Sequence, residues 1–285
     1  MSDFLGDADF ELYRKLIYDA SGITFSATNR SILESRLKER LREKKLDSLK
    51  DYFSLISRDK EELKTLLDSV TTNLTRFFRN QAHFDAIEKY VVPELIKMKG
   101  AGGERRLRFW SAGCSTGEEP YSIAMSALEE MPNGAAGRVF IKATDISMRM
   151  LEKARRGAYP AERVAEIPAA LRLRYLLKAP GGPAESFQFR NDVRAMIAFE
   201  RLNLMGRLPE AYCCSVIFCR NIMIYFDKPT QQSLVQRLSD YLEEGGYLLI
   251  GHSESLNNIS HGLDYVCPAT YRKPGREHTG RIGRG

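Results

Sequence analysis

The chain is poor in the features that would anchor, staple or metallate it. No apolar run in its 285 residues approaches the roughly 18–20 needed to cross a bilayer, which excludes direct membrane insertion through a helix. The opening stretch Met1 to Glu11 is acidic and lacks the charged-then-apolar order of a secretory signal. Five cysteines, at 114, 213, 214, 219 and 267, form no C-x-x-C pair. An odd count without metal-ligand spacing fits a reducing cytoplasm and argues against a disulfide framework. The four histidines are scattered, so no metal site is expected.

What is present begins with Phe109-Trp110-Ser111-Ala112-Gly113-Cys114-Ser115-Thr116-Gly117-Glu118-Glu119-Pro120-Tyr121-Ser122. A short apolar strand, Leu107 to Trp110, runs into a small-residue turn, and a helix opens on two carboxylates. This pattern predicts the first βα turn of a doubly wound α/β domain, where a ligand meets the carboxyl end of a strand. The turn has neither G-x-G-x-x-G spacing nor the Lys-Ser/Thr of a phosphate loop. A helix that starts Glu118-Glu119 repels phosphate and welcomes an ammonium group. S-adenosylmethionine carries such an ammonium and no phosphate.

Residues 9 to about 70 read as helices only. Leu12, Leu16 and Ile17 line the first, which Gly22 closes. Arg30 to Lys45 holds seven Lys/Arg against three Glu, with Leu33, Leu37 and Leu41 forming one stripe. Arg36, Arg40 and Lys44 run beside that stripe, while Lys38, Arg42 and Lys45 face away. With a net charge of +6, this cationic helix is either a solvated face or a docking surface for an acidic partner. Asp47 or Ser48 caps a third helix, and Leu63, Leu66, Leu67 and Val70 line a fourth, completing a small bundle.

Strand signals start after residue 104. Leu107–Trp110, Val139–Ala143, Met196–Glu200, Val216–Cys219 and Tyr247–Gly251 are short apolar runs. Helical segments separate most of them, and Gly245-Gly246 is read as stopping the last helix. Alternation of this kind predicts a parallel sheet covered on both faces. Between about 171 and 195 a Pro/Gly turn divides two short runs, which reads as an inserted hairpin. It is either a surface loop or an exposed edge able to capture a peptide strand. The tail from Arg272 is basic and Gly-rich and is expected to be disordered.

Four further clusters carry chemistry. Thr144-Asp145-Ile146 ends the second strand, where Asp145 can grip a ribose diol or cap the helix at Ser147. Asn203 follows the third strand and suits an adenine edge or a turn. Arg220-Asn221 ends a buried strand, and Tyr225 beyond it either extends a hydroxyl to the reacting centre or packs half-buried. Thr71 to Asn80 interleaves hydroxyls, amides, two guanidiniums and the pair Phe77-Phe78, and reads as a lid anchored by that pair.

Asn73-Leu74-Thr75-x-Phe77-Phe78-Arg79, the Ser115–Ser122 block, Thr144-Asp145-Ile146, Asn203-Leu204 and Cys219-Arg220-Asn221-x-x-Ile224-Tyr225-Phe226 together resemble the chemotaxis receptor glutamate methyltransferase (CheR) family. The match runs in order along nearly the whole chain. It implies an all-helical N-terminal domain (1–70), a linker or lid (71–90) and a Rossmann-like S-adenosylmethionine-dependent methyltransferase domain (91–274). It also implies an inserted β-subdomain at about 171–195; a basic tail (275–285) follows. The resemblance assigns cofactor contacts to Asn73, Thr75, Arg79, Glu118, Asp145, Asn203, Leu204, Arg220 and Asn221. Glu118 would hold the ammonium, with Glu119 the adjacent alternative. Arg79 and Tyr225 would lie nearest the transferred methyl.

The implied substrate is the glutamate side chain on cytoplasmic helices of chemoreceptors, and no metal is required. Arg36, Arg40, Arg42 and Lys44 become candidates for docking the acidic receptor helices, and the hairpin for a receptor C-terminal peptide. A cytoplasmic monomer is expected, with no nucleic-acid partner, because the strand end Arg220-Asn221-Ile222-Met223 lacks the Pro-Pro of base-methylating enzymes. The alternative is a methyltransferase or sensor module that binds S-adenosylmethionine but serves another macromolecule.

Overall fold

The structure is a computed structural model and describes residues 4–71, 74–99, 106–131, 135–179, 185–208 and 213–275. Helix α1 (Asp7–Ser21) buries Phe10, Tyr13 and Ile17 and ends at Gly22. Ile17 and, in part, Leu16 face inward as expected, whereas Leu12 is exposed and Phe10 and Tyr13 fill the core. Helix α2 (Arg30–Lys44) follows a capping box between Ser26 and Asn29 and points Leu33, Leu37 and Leu41 inward. Helix α3 (Leu49–Ile56) is capped by Ser48, and α4 (Lys60–Val70) by Asp59, whose carboxylate accepts the Glu61 and Glu62 N–H groups. Tyr13 lies edge-on to Phe53 at 5.6 Å in the middle of this bundle.

One expectation for α2 is corrected. The side chain of Arg40 is 8% exposed, and its Nε and Nη2 donate to Glu62 Oε1 at 2.9 and 2.7 Å. Tyr52 donates to the same oxygen at 2.9 Å, and Lys44 Nζ reaches Oε2 at 2.6 Å. Arg40 therefore belongs to the core of the bundle, and the ammonium of Lys44 is committed to the same carboxylate. Arg36 and Arg42 remain on the outer face.

The expected linker is largely helix. Helix α5 (Gln81–Ala86) continues through a π turn (Ile87–Val91) into α6 (Val92–Lys99). Pro93 has no N–H to give the carbonyl four residues back, and the π turn absorbs that misfit. Phe84, Ile87, Val91, Val92 and Leu95 join the core of the α/β domain.

That domain is built on β1 (Leu107–Ala112), β2 (Val139–Asp145), β6 (Ile197–Arg201), β7 (Cys214–Cys219), β8 (Leu242–Ile250), β9 (Asp264–Cys267) and β10 (Thr270–Arg272). Their order is β6-β2-β1-β7-β8-β10-β9, parallel as far as β8 and antiparallel beyond it. Helices α7 (Glu118–Glu129), α8 (Met148–Arg156) and α12 (Lys228–Tyr241) cover the faces. Since β1 lies between β2 and β7, the strand order reverses there and opens a crevice at the carboxyl ends.

Helix α12 ends at Tyr241 rather than at Gly245-Gly246, which instead lie inside β8 beside a register shift against β7. Arg272 belongs to the sheet, and Lys273 just beyond it donates its N–H to the Gly246 carbonyl and its Nζ to the Ser239 and Leu242 carbonyls at the end of α12. The remainder of the tail, 276–285, lies outside the described residues.

The inserted subdomain is larger than a hairpin. Its sheet has the order β3-β5-β4, from β3 (Ala158–Pro160), β4 (Leu176–Lys178) and β5 (Ser186–Phe189). Short helices α9 (Ala161–Val164) and α10 (Ala169–Tyr175) lie within it, and α11 (Asn191–Arg194) leads back to the main sheet. Among the described residues no helix is long and apolar enough to cross a membrane.

Candidate active site

The turn after β1 is shaped by close approach. The N–H groups of Gly113 and Cys114 donate to the Thr144 carbonyl at 2.7 and 2.9 Å. Gly113 has φ of 82°, and a Cβ there would lie 2.1 Å from Ile222 Cδ1, so only glycine fits. Phe78, Asn80, Ser115 and Asn221 also take positive φ around the crevice. Backbone of this kind persists only where its surroundings hold it.

A cleft of about 250 Å³ opens at the crevice. Its inner wall holds two carboxylates. Asp145 accepts the Ser115 N–H at 2.8 Å on one oxygen and the Ser147 N–H at 2.9 Å on the other, so it both ties the turn and starts α8. Glu119 accepts from Ser111 Oγ at 2.7 Å and from Arg220 Nη1 at 3.0 Å. Glu118, the residue expected to hold the ammonium, turns elsewhere. It accepts from Thr116 Oγ1 at 2.6 Å, lies 3.7 Å from Arg163 and is not part of the cleft lining.

Burial pushes all three carboxyls above the usual carboxylate range. The Arg220 charge opposes the shift at Glu119, and the Ser147 and Ser115 N–H groups oppose it at Asp145. Burial lowers the Arg220 guanidinium below its usual range, again against the pull of Glu119.

Arg220 joins two walls. It pairs with Glu119, donates to the Arg79 carbonyl and rests over the Phe84 ring at 5.8 Å. Its buried Nε has no hydrogen-bond partner among the described residues. Arg79 lines the cleft with its Nη1 donating to the Leu74 carbonyl at 2.8 Å. The expected anchors are in place, for Phe77 packs 5.0 Å from Tyr159 and the Phe78 N–H donates to Ser122 Oγ at 3.0 Å. Thr75 lines the cleft and offers its carbonyl to Arg163 at 2.7 Å. Asn73 lies outside the described residues.

The helical domain completes the cleft, a contribution invisible in the sequence. Ser21, the last residue of α1, and Ile23 just beyond it form part of the lining. The Thr24 N–H donates to the Tyr225 carbonyl at 2.8 Å, and Tyr18 Oη donates to Asp227 at 3.0 Å. Asn203 donates to the Ala20 carbonyl at 2.7 Å and accepts the Met205 N–H at 3.0 Å. Its amide therefore makes a turn and a domain contact, with its second N–H still available for a ligand. Leu202, Leu204, Ile146, Ile222 and Phe226 supply an apolar wall. Asn221 and Tyr225 line the opposite side, and the exposed apolar side chains Leu74 and Ile224 flank the mouth. Arg36, Arg42 and Lys44 stand apart from this lining.

The strand order and the crevice beside β1 define a doubly wound α/β domain with a ligand site at the strand carboxyl ends. Comparison with known proteins narrows the class. The profile "CheR methyltransferase, SAM binding domain" matches residues 73–271, and "CheR methyltransferase, all-alpha domain" matches 8–71. The chain belongs to the CheR methyltransferase family. It is 37% identical over 263 residues to a chemotaxis protein methyltransferase of Borreliella burgdorferi, covering 91% of this chain and 92% of the relative. It is 37% identical over 264 residues to chemotaxis protein methyltransferase 2 of Pseudomonas aeruginosa, covering 92% of each. Against the chemotaxis protein methyltransferase of Escherichia coli the figures are 35% over 260 residues, 90% and 87%.

Proposed function

We propose that the protein transfers the methyl group of S-adenosylmethionine to glutamate side chains on chemoreceptor cytoplasmic helices, leaving methyl esters. The observation that carries this is the polarity of the cleft. Its inner end holds the carboxylates Glu119 and Asp145, the first paired with the buried Arg220, whereas the more exposed lining residues include Arg76, Arg79 and Tyr225. An acidic interior suits an ammonium and a ribose diol; a cationic mouth suits an incoming carboxylate.

The residues present fit the cofactor. Glu119, rather than Glu118, would hold the methionine ammonium, Asp145 the ribose hydroxyls, and Leu204 with its apolar neighbours the adenine, beside Asn203. The unpartnered Nε of Arg220 suits the methionine carboxylate. Bound S-adenosylmethionine supplies a sulfonium-activated methyl group, which a glutamate oxygen takes by in-line displacement with release of S-adenosylhomocysteine. A glutamate with a pKa of about 4.3 is already ionised near pH 7, so no general base is needed. The protein contributes position and exclusion of water. Arg79 compensates the desolvation of the substrate carboxylate by pairing with one oxygen and leaving the other free to attack. Tyr225 borders the reacting centre.

The outer face of α2, through Arg36 and Arg42, would dock the acidic receptor helix. The edge strand β4, where Leu177 is exposed, would accept a receptor tail peptide as an added strand. The active species in this reading is a monomer. The test mixes methyl-labelled S-adenosylmethionine, the protein and receptor-containing membranes, then treats the product with alkali. Volatile labelled methanol identifies a carboxyl methyl ester. Label that survives alkali would refute glutamate as the acceptor.

A further inference from the structure

The turn after β8, Gly251-His252-Ser253-Glu254, is not part of the cleft lining, and no role above uses it. Its side chains nevertheless reach both walls of the cleft. Glu254 Oε2 accepts the Gly251 N–H at 2.6 Å and the Asn221 N–H at 2.9 Å. Its Oε1 accepts the Ile224 N–H at 3.3 Å. One carboxylate thus gathers the backbone on either side of the segment that carries Asn221 and Tyr225.

Two independent features mark this as a built arrangement. Asn221 has φ of 58°, in the left-handed region that Asn tolerates better than most residues but still at some cost. A carboxylate accepting its N–H offsets that cost, and a charged acceptor strengthens the bond. Gly251 is the second feature. A Cβ there would lie 2.7 Å from Glu254 Oε2, 2.8 Å from Asn221 Nδ2 and 2.9 Å from Asn221 N, so a side chain would wedge the contact apart. On the opposite wall, His252 stacks on His83 at 4.8 Å with the rings 9° from parallel. His83 is buried on α5 next to Phe84, the ring beneath Arg220. Burial, with the Arg220 and His252 charges adding to it, lowers His83 to about 3, so the stack rests on a neutral ring.

We infer that Glu254 is a positioning residue for methyl transfer: it holds the Asn221 backbone and the Met223–Tyr225 turn so that the Asn221 and Tyr225 side chains face the cleft. This rests on the reading of the cleft as the methyl-transfer site. Glu254 acts through the backbone of this segment and is not itself part of the cleft lining.

The experiment compares Glu254→Ala, Glu254→Gln and Gly251→Ala with the wild type in the receptor methylation assay, at a temperature well below each melting transition. Glu254→Ala is expected to lower kcat on the order of 10²-fold, the scale of a roughly 1 Å misplacement. The KM for receptor should stay unchanged, as for an interaction felt in the transition state. Glu254→Gln keeps an acceptor for Asn221 and Gly251 but turns an amide N–H toward Ile224, so its kcat should fall between. Gly251→Ala should follow Glu254→Ala. A purely structural role predicts a lowered Tm with kcat per folded molecule unchanged, and that result in the alanine and glutamine variants would overturn the inference. If Glu254→Ala does not fold, Glu254→Gln and Gly251→Ala decide it by the same criterion. A wild type that forms no methyl ester overturns the functional reading and this inference with it. An active wild type with equally active variants overturns this inference alone.

Discussion

Glu118 and Glu119 are neighbours in the chain but point about 100° apart around a helix, so they cannot share a task. Glu119 faces the cleft, while Glu118 is held by Thr116 and Arg163. Glu119→Gln should therefore weaken S-adenosylhomocysteine binding by roughly 10-fold or more, the scale of a charged hydrogen bond. Glu118→Gln should weaken it less; calorimetric titration of both variants checks this. Burial raises the Glu119 carboxyl, so its anionic form, the one that pairs with an ammonium, is lost on acidification before an ordinary glutamate would protonate. As pH is lowered, affinity should begin to fall while the pH is still above about 4.3, the value of an ordinary glutamate, and Glu119→Gln should remove that part of the pH dependence. Arg79→Ala should reduce turnover by about 10²-fold, or about 2.7 kcal/mol, because the substrate carboxylate loses its counter-charge. Steady-state kinetics with receptor membranes measures it.

Helix α2 divides its charges between the core of the bundle and its outer face. Seen along the sequence, Arg40 resembles Arg36 and Arg42. Within the bundle it meets Glu62, 22 residues away, together with Tyr52 and Lys44. Burial alone would raise the Glu62 carboxyl, but the hydrogen bonds from Lys44, Arg40 and Tyr52 outweigh it and hold the group below the usual range. A depressed carboxyl stabilises the fold above its unfolded pKa, and that contribution is lost as pH falls through the folded value. Glu62→Ala should destabilise the protein by up to about 3–5 kcal/mol, because Arg40 Nε and Nη2 lose their acceptor in the core and only the Nη1 contact to Glu43 remains. Denaturant titration checks the loss, and its acid dependence should vanish in the variant. Reversing Arg36 and Arg42 to Glu should instead raise the KM for receptor and reduce its salt sensitivity with Tm unchanged. An unchanged KM would return this face to simple solvation.

The two domains form one site. Ser21 and Ile23 line the cleft, and the Thr24 N–H holds the Tyr225 carbonyl. Ligand bound in the cleft therefore couples the helical bundle to the sheet. S-adenosylhomocysteine at 100 times its Kd should add about 2.7 kcal/mol of stability. Amide exchange should slow at Thr24 as well as at the carboxyl ends of β1, β2 and β7. Protection confined to the α/β domain would show that the helical domain takes no part in binding.

Much of this molecule was legible in the chain. The apolar runs of β1, β2, β6 and β7 and the leucine stripe of α2 read correctly because burial imposes period and composition locally. The short antiparallel strands β9 and β10, and β3 of the inserted subdomain, were missed: three or four residues of mixed polarity carry too little pattern. Gly245-Gly246 was read as a helix stop because a glycine pair signals a break without saying whether it lies in a helix or a strand.

The sequence by itself determined the class of fold and the chemical inventory of the cleft. Strand and helix periodicity and the residue types at strand ends are properties of contiguous segments. Only the tertiary structure decided which of two adjacent glutamates faces the cleft, that Arg40 is core, that the end of α1 lines the cleft, and that Glu254 accepts backbone N–H groups of the Asn221 segment. Each of those depends on how one helix or turn is rotated against another, and packing between distant segments sets that rotation.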